Sequence, residues 1–165
     1  MAAIPPPEHK IFSSLSDAVA WRESMRRAGL RVALTNGCFD LLHRGHTEYL
    51  RSARNLGDAL IVLLNSDESV RALKGPSRPL NNEADRGAVL AALECVDAVL
   101  VFRGSRCHPE IAALRPDCYA KGGDYTVETL DPEEREALFG AGTEIVFLPF
   151  VPGHSTTNTI RKMQS

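Results

Sequence analysis

The chain lacks a field of one charge sign. It carries 19 Lys and Arg against 21 Asp and Glu, a formal net charge of −2 with both signs interspersed, so it has no basic face of the kind a general nucleic-acid binder needs. Any anionic ligand must be held locally. It also lacks a CxxC pair. Cys38, Cys95, Cys107 and Cys118 are widely spaced and have no companion histidines at zinc-site spacing, which argues against a structural zinc site and for four reduced thiols. No apolar run reaches the length of a membrane span, and the opening MAAIPPPEHK has no basic segment followed by an apolar one. The expected location is the cytoplasm, without membrane attachment. There is no internal repeat, no low-complexity tract and no linker after residue 15.

What is present is ordinary globular composition. At 165 residues, 44% hydrophobic and 24% charged, the chain suits one domain with a substantial core. The stiff PPP at 5–7 predicts a flexible lead-in over residues 1–12, ahead of a single domain over 13–165. From Ser13, Leu15, Val19, Trp21 and Met25 fall near helical spacing, and Gly29 is a stop signal. Short apolar runs at 31–35, 60–65, 98–102, 118–122 and 144–149 read as buried strands. Between them lie helical stretches at 46–56, 67–73, 83–94, 108–114 and 132–139. Such alternation predicts an α/β fold, a Rossmann-like doubly wound sheet of about five parallel strands with helices on both faces.

In such sheets ligands bind beyond the carboxyl ends of the strands, where the topology reverses. The segment NGCFDLLHRGH (36–46) belongs there. It follows the first long strand, turns on Gly37, and leads into a helix expected to start around Gly45, so backbone N–H groups and a helix N-terminus face an anion. The characteristic residues after the turn are His43 and His46, not the further glycines of GxGxxG or the lysine of GxxxxGK[ST]. Hydride transfer and P-loop hydrolysis lose ground accordingly. Two histidines three apart can simply start a helix. Here Gly45 removes a side chain between them, and imidazole N–H groups at this end can hold phosphate oxygens and stabilise charge as a pyrophosphate bond breaks. A metal site would need a third ligand, for which only Asp40 is at hand.

Together with LIVLLNSDESVRALKG, RPLNNEADR, YAKGGDY and GHSTTNTIRKM, this segment resembles the HxGH nucleotidyltransferase superfamily. Within it the chain is most similar to the D-glycero-β-D-manno-heptose 1-phosphate adenylyltransferases, from about residue 30 to 163. KGGDY and GxSTTN carry that finer likeness. The resemblance implies transfer of AMP from ATP to heptose 1-phosphate, giving ADP-heptose for lipopolysaccharide and pyrophosphate, in a stand-alone form without a fused sugar kinase. It implies His43, His46 and Lys74 as catalytic residues. Nucleotide contacts would come from Asn36, Gly37, Cys38, Phe39, Arg86, Lys121, Gly122, Asp124, Ser155, Thr156 and Thr157, and substrate contacts from Asp40, Asn65, Asp67 and Arg78.

Mg²⁺ is expected with ATP, its protein ligand unassigned, and a homo-oligomer is left open. Each assignment has a plainer counterpart. Lys74 could be a solvated lysine beside the Gly/Pro-rich loop GPSRP, Arg78 a surface ion-pair partner, KGGDY a plain turn, and Ser155 or Thr156 a helix cap. Related glycerol-phosphate cytidylyltransferases end in a pattern like RTxGISTT, whereas here Phe150 takes the place of the arginine and His154 precedes Ser155. That favours adenylyl over cytidylyl transfer to a polyol phosphate. A nucleotide-binding module without turnover, and a nicotinamide-linked oxidoreductase of the same fold class, are the remaining alternatives.

Overall fold

The protein is described here by a computed structural model, which covers residues 5–149, 153 and 156–164. A 3-10 turn at Pro7–Lys10 leads into β1 (Ile11–Phe12), α1 (Leu15–Arg27), β2 (Val32–Gly37), α2 (Arg44–Arg54), β3 (Ala59–Asn65), α3 (Asp67–Lys74), α4 (Glu83–Ala91), β4 (Ala98–Phe102), α5 (His108–Leu114), β5 (Cys118–Gly122), a 3-10 turn at Val127–Thr129, α6 (Pro132–Ala141), β6 (Glu144–Leu148) and α7 (Thr156–Gln164). All strand pairs are parallel, in the order β1-β4-β3-β2-β5-β6.

The expected parallel α/β sheet is present, and it has a sixth strand, because Ile11 and Phe12 pair with Val99 and Leu100 at one edge. Residues 7–12, expected to precede the folded part, therefore belong to it. Lys10 adds a tie, its Nζ donating to the carbonyls of Val96 at 2.7 Å and Leu93 at 3.3 Å beyond α4. Two residues are too few to show a strand's alternation, which is why the run was hidden behind the prolines.

Both faces of the strands are buried, which explains their continuous apolar character. Val32 and Leu34 of β2 and Ile61 and Leu63 of β3 pack with Leu15, Val19, Trp21 and Met25 of α1, Ile111 of α5 and Leu138 of α6. The alternate residues, Ala33, Leu60, Val62 and Leu64, meet Leu50 and Ala53 of α2 and Leu90 of α4 on the other side. Helix starts are set by side chains that satisfy the first free N–H groups. Ser14 accepts from Asp17 N, Ser66 from Ser69 N, Asn82 from Asp85 N, and Asp131 from Glu133 N and Glu134 N.

The winding decides where a ligand can enter. From β2 the chain moves outward through β3 and β4, then returns to the opposite side of β2 to place β5 and β6. The reversal lies between β2 and β5, so the crevice opens beyond Gly37 and Gly122.

Candidate active site

The turn leaving β2 is built for close approach. A Cβ on Gly37 would lie 2.8 Å from the Phe39 ring, and Phe39 itself has φ +43°, unusual for a bulky residue. That conformation folds Phe39 back under the turn, where it meets the His46 ring edge-on at 5.4 Å. On the β5 side, a Cβ on Gly122 would lie 3.0 Å from the Tyr49 ring. Tyr49 Oη in turn bonds Thr35 Oγ1 at 2.6 Å and donates to the Ala120 carbonyl at 2.9 Å, tying α2 across β2 to β5. Burial pushes the Tyr49 hydroxyl up to about 12, so it stays a neutral strut.

His43 is the N-cap of α2 and His46 lies in its first turn. Their rings stack, with centroids 3.9 Å apart and planes inclined by 18°. Burial, and then the neighbouring His43, lower His46 from 6.5 to about 4, so at neutral pH it is an uncharged imidazole. His46 Nδ1 is buried and has no hydrogen-bond partner among the described residues, and a bound oxygen would supply one. His43 makes no side-chain cap bond to its own helix. The helix N-terminus and both rings therefore stand together where the chain leaves β2.

Beneath the turn lies a layer of buried charge. Asp40, with 1% of its side chain exposed, pairs with Arg78 Nε and accepts the N–H groups of Leu80 at 2.8 Å and Asn81 at 3.1 Å. Burial alone would raise its carboxyl, yet these bonds hold it below the usual carboxylate range. Arg86, also 1% exposed, fastens three segments at once: the Cys38 carbonyl at 2.6 Å, the Asn81 carbonyl at 2.9 Å and Asp67 Oδ1 at 2.7 Å. Asn65 donates to Ser69 Oγ at 2.9 Å.

Asp40, Asn65, Asp67 and Arg78, the residues implied for substrate, thus bond one another's segments around the turn. Arg86, implied for nucleotide, does the same. In this structure the side chains of these five are engaged by the segments around the turn.

The remaining implied residues have varied surroundings. Lys74 ends α3 on the exposed surface. It stands near enough to Cys38 for its charge to oppose the rise that burial imposes on that half-buried thiol. Lys121 Nζ reaches Asn36 Oδ1 at 3.2 Å and Tyr119 Oη at 3.1 Å, spanning the crevice from β5 to β2. Asp124 and Thr157 are exposed. Thr156 opens α7 and donates to the Leu41 carbonyl at 3.1 Å, which brings the last sequence block onto the turn. Ser155, Phe150 and His154 lie outside the described residues.

Two contributors were missed. Tyr49 and Glu134 look like ordinary helix residues in sequence, and only the glycine opposite Tyr49, at the end of a strand, gave a sign. All four cysteines are free thiols. Among the described residues no group of three His, Cys, Asp or Glu side chains could hold a metal, and no helix is long and apolar enough to cross a membrane.

The geometry agrees with what the chain is similar to. The bifunctional protein HldE of Methylobacillus flagellatus is 48% identical over 157 residues, covering 92% of this chain and 31% of that protein. HldE of Geotalea uraniireducens is 46% identical over 163 residues, covering 99% and 33%. The chain thus spans about a third of the length of these curated relatives. Among solved structures, the lipopolysaccharide core biosynthesis protein from Thermoplasma volcanium superposes with a TM-score of 0.60 at 25% identity, covering 74% of this chain and 98% of that one. Pantoate-beta-alanine ligase from Francisella tularensis gives a TM-score of 0.62 at 16% identity, over 91% and 72%, and shares the fold. A family model described as cytidylyltransferase-like matches residues 34–162, from the middle of β2 into α7, and the chain belongs to that family.

Proposed function

We propose that this protein transfers AMP from ATP to D-glycero-β-D-manno-heptose 1-phosphate, releasing pyrophosphate and forming ADP-heptose for lipopolysaccharide core synthesis in the cytoplasm. The observation that carries the transfer reaction is the stacked His43/His46 pair, with His46 uncharged, at the α2 N-terminus, facing the reversal between β2 and β5. The choice of heptose is supported by KGGDY and STTN in the sequence and by likeness to the Thermoplasma lipopolysaccharide core biosynthesis protein.

The chemistry asks for positioning and charge stabilisation. The sugar phosphate oxygen is already ionised at neutral pH, so it attacks the α-phosphorus of ATP in line without a general base. The new P–O bond forms as the bond to the β-phosphate bridging oxygen breaks, and pyrophosphate leaves with the electron pair. Negative charge grows on the leaving oxygens. His43 and His46 donate to them, the α2 N-terminus adds its partial positive charge, and Lys74 approaches from the loop side.

An uncharged His46 suits this task, because a donor that carries no full charge does not grip pyrophosphate afterwards. Mg²⁺ enters with ATP. With both Asp40 oxygens engaged by Arg78 and two backbone amides, the ion would be held mainly by phosphate oxygens and water.

The test is pyrophosphate release with ATP or CTP crossed against several sugar 1-phosphates and glycerol 3-phosphate. Release with ATP and the heptose is the expected result. Release with CTP and glycerol 3-phosphate alone would overturn the adenylyl reading, and no release under any pairing would leave a binding module.

A further inference from the structure

Behind the crevice, on the face covered by α5 and α6, lies a polar cluster that the transfer reaction does not use directly. Glu134 of α6 is buried, 4% exposed. Its Oε1 accepts from Cys107 Sγ at 3.4 Å, and its Oε2 lies 3.7 Å from Lys121 Nζ. Lys121 in turn donates to Asn36 Oδ1 at 3.2 Å, and Tyr119 Oη donates to the same oxygen at 2.8 Å.

An ammonium group can only donate, so the Asn36 atom facing Lys121 must be the carbonyl oxygen. The orientation of the amide is thereby settled by its partners. Asn36 Nδ2, turned the other way, has no hydrogen-bond partner among the described residues, and it stands one residue before Gly37 at the mouth of the crevice.

We infer that Glu134 is a positioning residue: through Lys121 it locks Asn36 with its NH₂ group presented to a phosphate oxygen of the bound nucleotide. The carboxylate also compensates the Lys121 charge, so Lys121 acts as a tether to Asn36, and the nucleotide charge is met by the histidines, the α2 N-terminus and Lys74. This rests on the nucleotide reading above and deepens it, since it replaces a direct Lys121 contact with an Asn36 donor held from behind. Removing the Glu134 charge frees the ammonium to rotate toward the crevice and lets the amide turn.

The test is calorimetric binding of MgATP, without sugar phosphate so that nothing turns over, to the parent, Asn36→Asp, Glu134→Gln and the double variant. Asn36→Asp keeps an acceptor for Lys121 and Tyr119 but replaces the outward donor by a carboxylate. It should weaken binding by about tenfold or more, as expected for losing one bond to a charged oxygen. Glu134→Gln keeps the shape and should weaken binding severalfold. The double variant should bind no more weakly than Asn36→Asp alone, because both changes act through one amide.

Additive losses, or normal binding by Glu134→Gln at a melting temperature equal to the parent's, would reduce Glu134 to a packing role and overturn the inference. Normal binding by Asn36→Asp would overturn the donor itself. A parent that binds no MgATP refutes the nucleotide reading instead, which keeps the two failures distinct.

Discussion

At the amino end of the sheet, three aspartates each stand just before a strand and accept a backbone N–H at or beside the start of a neighbouring one. Asp58 takes Arg31 N at 2.8 Å, Asp97 takes Leu60 N at 2.8 Å and Asp117 takes Val32 N at 2.7 Å. Arg54 and Arg22 complete the pairs with Asp97 and Asp117. At the carboxyl end the charges are arranged in two tiers. Asp40, Arg78 and Arg86 are buried and consumed by one another's segments, while His43, His46 and Lys74 stand above them at the crevice. The amino end closes strand edges. The carboxyl end uses buried ion pairs as a floor beneath the turn that carries the histidines.

The comparison predicts effects of different size. Arg86 is 1% exposed and bonds three segments, so Arg86→Ala leaves Asp67 and two carbonyls unpaired and should cost about 3–5 kcal/mol of stability, measured by denaturant unfolding. A loss under about 1 kcal/mol would mean that the floor relaxes and the two tiers are not distinct. Asp97 is 35% exposed and its partner Arg54 31%, and water can replace part of what it does. Asp97→Ala should therefore cost about 1–3 kcal/mol, the penalty for leaving the Leu60 backbone donor unsatisfied. It should leave kcat within about twofold of the parent, as surface changes away from the chemistry do.

A last effect is a pH dependence that appears only in acid. His46 is held near 4 in the folded protein against 6.5 when free, so the unfolded chain takes up its proton first as pH falls. Its contribution to stability is intact above 6.5 and declines between 6.5 and about 4. His46→Asn should flatten that part of the melting profile, and an unchanged slope would show that folding does not shift the His46 titration.

How much of this could be read from sequence follows from which signals are local. The five long strands and their helices were legible because burial on both faces leaves continuous apolar runs, and the α1 face was legible from Leu15, Val19, Trp21 and Met25. β1 was not, since Ile11 and Phe12 form a strand only by borrowing β4.

The histidines were legible from a spacing that brings both to one helix start. The direction of polar side chains was not: Asp40, Asn65, Asp67, Arg78 and Arg86 lie in the right segments, but whether they face a ligand or each other depends on chain contacts up to 48 residues away, as between Arg86 and Cys38. Glu134 was hidden for the same reason, as one of several glutamates in α6.

The most direct test of the two-tier account sets turnover against stability in the histidine variants. His43→Ala and His46→Ala each remove a preorganised donor above the floor, so kcat for pyrophosphate release should fall by ~10²–10³. The KM for ATP should change far less, because the donated bonds strengthen in the transition state. Melting at pH 7.5 should stay close to the parent's. A kcat within about threefold of the parent at matched melting temperature would contradict the account, because a working donor of this kind is worth several kcal/mol, and would return the stacked pair to the role of a helix start.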